Sequence, residues 1–303
     1  MIERFLDPKN DFAFKKIFGT EKNRDILIHF LNDVLDFSDH AKIEEVTFLP
    51  TIQDPDIASK KESLVDVICT DQFGKKHIVE MQVSKFKGFE KRAQYYAAKA
   101  YSGQLHEGEA YHKLKEVIFL AIADFVMFPD KLSYKSDHII LDKETNAHNL
   151  KDFSFSFLEL PKFKKERHEL ITMTEHWCYF FKHAPTTKPE DIDTILRGIP
   201  ILERAYTALE AANWTEEELN AYEAAKKQRI DAEAIRAQIL DEGLTIGRQE
   251  GERIGRQEGI QEGERMGRQE EAIAIARNML AMGLDIGVII QATGLPKEEI
   301  EKR

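Results

Sequence analysis

Two short apolar segments, Leu64-Val65-Asp66-Val67-Ile68 and Ile78-Val79-Glu80-Met81-Gln82-Val83, each hold one carboxylate among hydrophobic residues. They sit within two β-rich stretches, 64–71 and 77–84, and Asp71-Gln72-Phe73-Gly74 between them supplies a turn, which predicts an antiparallel hairpin. Burying an unpaired carboxylate costs several kcal/mol, so both acids need a partner. If Asp66 and Glu80 face each other across the hairpin they share one face, and Gln82, two residues past Glu80, lies on that face too. Oxygen ligands of this kind suit Mg²⁺, with Mn²⁺ able to substitute, and such an ion serves phosphodiester hydrolysis. The alternative is a structural ion pair with Lys60, Lys61 or Arg92.

The flanking patterns place the hairpin in a mixed α/β fold. Residues 11–36 show helical spacing of Phe12, Phe14, Ile17 and Phe18 and then of Ile26, Leu27, Phe30 and Leu31, with a break at Gly19. A strand is expected at 43–49, a helix at 88–107 and a strand at Val117 to Ala123, so the second helical stretch reads as a crossover. Tyr95 and Tyr101 read as core positions on that helix. Strand patterns recur at 137–142 and 153–160. Beyond about residue 174 only helical patterns remain, and the last of them opens with the capping box Thr215-Glu216-Glu217-Glu218.

Bulk composition narrows the class. The chain has 303 residues, 42% hydrophobic and 32% charged, with no apolar run of bilayer length and no secretory signal pattern at its start, so a cytoplasmic protein with no membrane segment is expected. Two cysteines, Cys69 and Cys178, lack any metal or disulfide spacing. A net charge of -11 argues against coating DNA by bulk electrostatics, so any DNA contact must be local. Lys60, Lys61, Lys75, Lys76, Lys85, Lys87, Lys91 and Arg92 make such a local basic region. They read either as a phosphate-steering surface or as an ordinary solvated face.

From 243 to 267 a glycine stands at every fourth position. Each costs a helix about 0.5–1 kcal/mol relative to alanine, so an isolated helix here is poor. Two readings stay open: a helical arm packed along its small-residue ridge against other copies, or a hydrated tether. After it, Ala272 to Met282, Ile286 to Thr293 and Lys297 to Arg303 form a compact helical tail. A helix-turn-helix reader is one possibility there, but the acidity of Glu298, Glu299 and Glu301 favours self-association over insertion into a DNA groove.

The fragments NDFAFKKIFG, LVDVICTD with its turn and HIVEMQV, and RAQYYAAKAYSGQL, in this order, resemble the PD-(D/E)XK nuclease superfamily. Within it they resemble the Rpn-type recombination-promoting nucleases, also described as transposases. The resemblance covers roughly residues 5–165 and implies a restriction-endonuclease-like core with Asp66 and Glu80 as the motif acids and Mg²⁺ ligands. The motif's third position, ordinarily lysine, is Gln82 here, which can carry no charge. Lys61, Lys85 or Arg92 then supply a cation, and Arg92 and Tyr96, one helical turn apart, can face a phosphate together. The resemblance also makes Asp11 a candidate additional acid, with a helix N-cap as its other reading and Glu44 and Glu45 as competitors.

The expectation is an α/β chain with a nuclease-like domain at 1–165, a helical region at 166–241, the glycine-repeat arm at 242–271 and a helical tail at 272–303. The activity expected is Mg²⁺-dependent DNA endonuclease cleavage tied to recombination or mobile elements, in a homo-oligomer assembled through the arm. The rival is a catalytically inactive DNA-binding or oligomeric scaffold, for which Gln82 is the support.

Overall fold

Alternation of apolar residues along the hairpin lets both of its faces be covered. In the computed structural model, which describes residues 4–53, 63–105, 108–196 and 198–301, it lies inside a six-stranded sheet. The strands are β1 (Val46–Phe48), β4 (Val67–Asp71), β5 (Lys76–Gln82), β6 (Val117–Ala123), β7 (Lys135–Ile139) and β8 (Phe153–Glu159), in the order β1-β4-β5-β6-β8-β7. β2 (Ile52–Gln53) and β3 (Ser63–Leu64) pair separately. β1, β4 and β5 are antiparallel, β5, β6 and β8 are parallel, and β7 returns antiparallel to β8. This is the mixed sheet of a restriction-endonuclease-like fold, and α3 (Phe89–Ser102) is its β5-to-β6 crossover.

The turn is held by Asp71. Its Oδ1 accepts from the backbone N–H of Phe73 and of Lys75, each at 2.9 Å, and its Oδ2 lies 2.9 Å from Nε2 of the buried His77. Gly74 takes a φ of +82°, a conformation that suits glycine.

One face of the sheet packs on α1 (Asp11–Phe18), α2 (Arg24–Leu35), α4 (Met173–His183) and α6 (Pro200–Leu209). Aromatic rings knit this layer: Phe30 lies 5.0 Å from Phe18, 5.3 Å from Trp177 and 5.6 Å from Phe181 between centroids. Trp177 Nε1 donates to Asp33 Oδ2 at 2.8 Å, tying α4 to α2. Helices from the 166–241 stretch therefore share the core of α1 and α2. The short α5 (Ile192–Leu196) lies between α4 and α6 in the chain. On the opposite face α3 lays Phe89, Ala93, Ala97 and Ala100 over Ile78, Val117, Phe119 and Ala121.

The chain divides into two compact units, residues 1–228 and 229–303. The helix α7 (Glu216–Ala281) runs unbroken through every glycine of the repeat, so among the two readings left open the repeat is helical. The capping box at its start is formed: Thr215 N–H donates to Glu218 Oε2 at 2.9 Å and Glu218 N–H to Thr215 Oγ1 at 3.2 Å. In the second unit, α8 (Ile286–Thr293) is capped by Asp285, whose Oδ1 accepts from Gly287 N–H at 2.8 Å. With α9 (Lys297–Ile300) and the end of α7 it closes a small core of Ala276, Ile289, Leu295 and Ile300. No helix among the described residues is long and apolar enough to cross a membrane.

The aromatic layer yields a stability prediction. Phe30→Ala empties the centre of the Phe18, Trp177 and Phe181 cluster and should lower unfolding free energy by about 3–5 kcal/mol. Denaturant unfolding followed by tryptophan fluorescence measures it.

Candidate active site

Asp66 does not sit in the middle of a strand, as its apolar neighbours suggest. It occupies a bend between β3 and β4, one residue beyond the last hairpin pair, Val67↔Val79. In a regular strand Val65 and Val67 would share a face. Here Val65 joins the α3-side core and Val67 the α1-side core, so the chain rolls over at Asp66. That roll opens the pairing and lets Asp66 Oδ2 accept from the backbone N–H of Met81 at 2.9 Å, next to Glu80. Glu80 is inside β5, with Ala121 beside it on β6.

Each acid meets a cation from a different layer. Lys15 of α1 places Nζ 3.4 Å from Asp66 Oδ1, and Arg92 of α3 places Nη2 3.5 Å from Glu80 Oε2. The acids are well covered, with side chains 14% and 2% exposed, whereas Lys15 and Arg92 keep about a third of their surface open at 32% and 33%. Among the described residues Glu80 Oε1 is buried without a hydrogen-bond partner, as is Arg92 Nε. Burial pushes the Asp66 carboxyl up to about 6, against the pull of the Lys15 charge and the Met81 N–H. Burial and then the Asp66 charge push Glu80 up to about 8. For Lys15, burial works downward, but the Asp11 hydrogen bond and the charges of Asp66 and Asp11 outweigh it and hold the ammonium above the ordinary lysine value.

The other expected residues fall into place unequally. Gln82 ends β5, and its Nε2 donates to Ser84 O at 3.1 Å. Asp11 caps nothing: Asn10 is the N-cap, accepting from Phe12 and Ala13 N–H, while Asp11 Oδ1 lies 2.8 Å from Lys15 Nζ. Glu44 and Glu45 sit beside Gln72 at the turn end of the hairpin. Arg92 stacks between Phe86 and Tyr96, with Cζ 5.3 Å and 4.9 Å from the ring centroids. Tyr96 is buried, whereas Tyr95, expected in the core, is 47% exposed. Lys85 is exposed and donates to Val126 O at 2.9 Å. Lys61 and Lys60 lie outside the described residues.

Lys15 is the residue sequence reasoning missed. Its signal was there: an i,i+4 pair with Asp11 on a helix whose other face, Phe14, Ile17 and Phe18, is wholly apolar. Among the described residues no group of three or more His, Cys, Asp or Glu side chains is placed to hold a metal ion, and Asp11 lies close enough to Asp66 to raise its carboxyl further.

The raised carboxyls carry a pH signature in metal-free protein. The unfolded chain gives up these protons near pH 4 and the folded chain only through about 6 and 8, so the pair's stability contribution is lost as pH rises across that window. Glu80→Gln removes the larger shift. Its melting temperature relative to wild type should climb between about pH 5 and pH 8 in chelator, with Lys15, Asp11, Arg92 and Tyr96 left to face the site.

Comparison with known families gives two matches. Residues 8–238 match the family described as PD-(D/E)XK nuclease family transposase, and residues 269–302 match the Rpn/YhgA-like nuclease family C-terminal HTH domain. No curated protein and no solved structure matches the chain. The second match covers the end of α7, α8 and α9, the tail for which a helix-turn-helix was one of the readings left open. The first spans most of the chain, and with the mixed sheet and the acids of β5 and the β3–β4 bend it leads to one conclusion: the chain belongs to the PD-(D/E)XK nuclease family of transposase-like Rpn proteins.

Proposed function

We propose that the chain is a divalent-cation-dependent DNA endonuclease in which Asp66 and Glu80 hold Mg²⁺, or Mn²⁺ in its place. The observation that carries this reading is the buried acid pair with one Glu80 oxygen unpartnered. Two carboxyls held protonated chiefly by burial, Glu80 also by the Asp66 charge, gain from a shared cation, and hard oxygen donors fit Mg²⁺. When bound, that ion polarises a phosphodiester and acidifies the attacking water.

The chain's own residues supply the rest. Arg92, stiffened by Phe86 and Tyr96, presents a guanidinium whose fork fits phosphate oxygens. Gln82 orients water through its amide, and Lys85 extends the basic rim past β5. The helix-turn-helix domain supports duplex DNA as the substrate, and the family's transposase description supports a role in recombination or mobile elements. The C-terminal arm is proposed to join copies of the chain. Ile246, Ile254, Ile260 and Met266 are all exposed along a helix weakened by seven glycines, a combination that a neighbouring helix would relieve.

Purified protein should nick supercoiled plasmid with Mg²⁺ or Mn²⁺ and not with EDTA. Asp66→Ala and Glu80→Ala should each fall to the EDTA background while keeping their circular dichroism. Nicking no higher than the EDTA background in all three folded proteins would instead leave a DNA-binding or oligomeric scaffold. Light scattering on the full chain should give a multiple of the monomer mass, and a monomer at micromolar concentration would remove the arm's role.

A further inference from the structure

Lys15 reaches the acid pair from the layer opposite Arg92, and its contacts are graded. Its Nζ is 2.8 Å from Asp11 Oδ1 and 3.0 Å from Asp11 Oδ2, but 3.4 Å from Asp66 Oδ1. Asp11, one helical turn earlier, therefore fixes the ammonium at hydrogen-bond length, and Asp66 only faces it. Asp66 and Glu80 are almost covered, whereas Lys15 and Arg92 each keep about a third of their side-chain surface open. Arg92 stands beside Glu80 between two rings, Lys85 donates to a backbone carbonyl farther along, and Gln82 is uncharged. Among the described residues, the cation beside Asp66 is Lys15.

We infer that Lys15, positioned by Asp11, is a second cationic group, beside Arg92, that contacts the phosphodiester on which Asp66 and Glu80 act, a role resting on the nuclease reading above. In the unliganded protein the ammonium offsets the Asp66 charge. Against substrate it meets the negative charge that builds on the phosphate oxygens, and it remains protonated throughout, so no proton transfer is assigned to it. Asp11 is then a positioning residue and holds no metal.

The test uses full-length wild type, Lys15→Met, Lys15→Arg, Asp11→Asn and Asp66→Ala in two measurements: plasmid nicking with Mg²⁺, and the rise in melting temperature on adding Mg²⁺. Lys15→Met should nick about 100-fold more slowly yet keep a Mg²⁺-induced melting rise at least as large as wild type, because both ligating acids remain. Lys15→Arg should recover at least about tenfold of that loss, and Asp11→Asn should fall between wild type and Lys15→Met. Asp66→Ala should lose both nicking and the melting rise. Nicking by Lys15→Met within about threefold of wild type would overturn the inference while leaving the nuclease reading intact. So would loss of its melting rise together with its nicking, which would make Lys15 a support of the acids. A wild type that never nicks overturns both. Should Lys15→Met fail to fold, Asp11→Asn and Lys15→Arg decide alone: wild-type nicking in both would sink the role.

Discussion

Two carboxylates that repel each other in a place water barely reaches set the terms for everything around them. Asp66 and Glu80 are tolerable there because the fold delivers a cation to each from opposite sides of one sheet, Lys15 from α1 and Arg92 from α3. Neither helix could do this alone, since each covers a single face. The bend at Asp66 is the joint, because it carries the chain from the α3-side core to the α1-side core within three residues, Val65 to Val67. Gly19 helps to bring α1 close. A Cβ there would stand 2.7 Å from the Lys15 carbonyl oxygen and 3.3 Å from Val67 Cγ2.

Much of the frame is legible in the sequence because its elements obey local rules. The β6 strand is found at the expected residues, the helix break falls at Gly19, and the capping box at Thr215 forms with both of its bonds. Each rests on a short-range signal: an apolar run, a helix-breaking residue, or a side chain reaching back to nearby backbone. What stayed hidden depends on contacts between distant segments. Alternation alone treats Asp66 as a mid-strand residue and is blind to the bend. Lys15 is one lysine of a Lys-Lys pair, and only tertiary packing shows which of them meets Asp66 and which meets Glu218. Tyr95 and Tyr96 are indistinguishable by composition, and helix phase buries the second under Arg92.

The C-terminal part obeys a different economy of forces. The repeat gives up helix propensity at seven glycines and still forms one helix, lined by i,i+3 and i,i+4 pairs such as Arg253 with Glu250 and Arg248 with Glu252. Such exposed pairs are screened by water and contribute little. They offset a fraction of the glycine cost, which is the physical ground for the proposed partner helix. After the repeat, Ile289, Leu295 and Ile300 close a small apolar core with Ala276, so the tail folds on short-range packing whatever the charge of α9.

The central claim, that Asp66 and Glu80 form a cation-holding pair, is tested most directly by proton release on Mg²⁺ binding. Calorimetric titration at about pH 7 in buffers of differing ionisation enthalpy counts the protons, since a ligand must be deprotonated to bind the ion. Because burial and the Asp66 charge keep Glu80 protonated up to about 8, binding should expel close to one proton from wild type and none from Glu80→Gln. Binding without proton release, or with the same release from Glu80→Gln, would contradict the account.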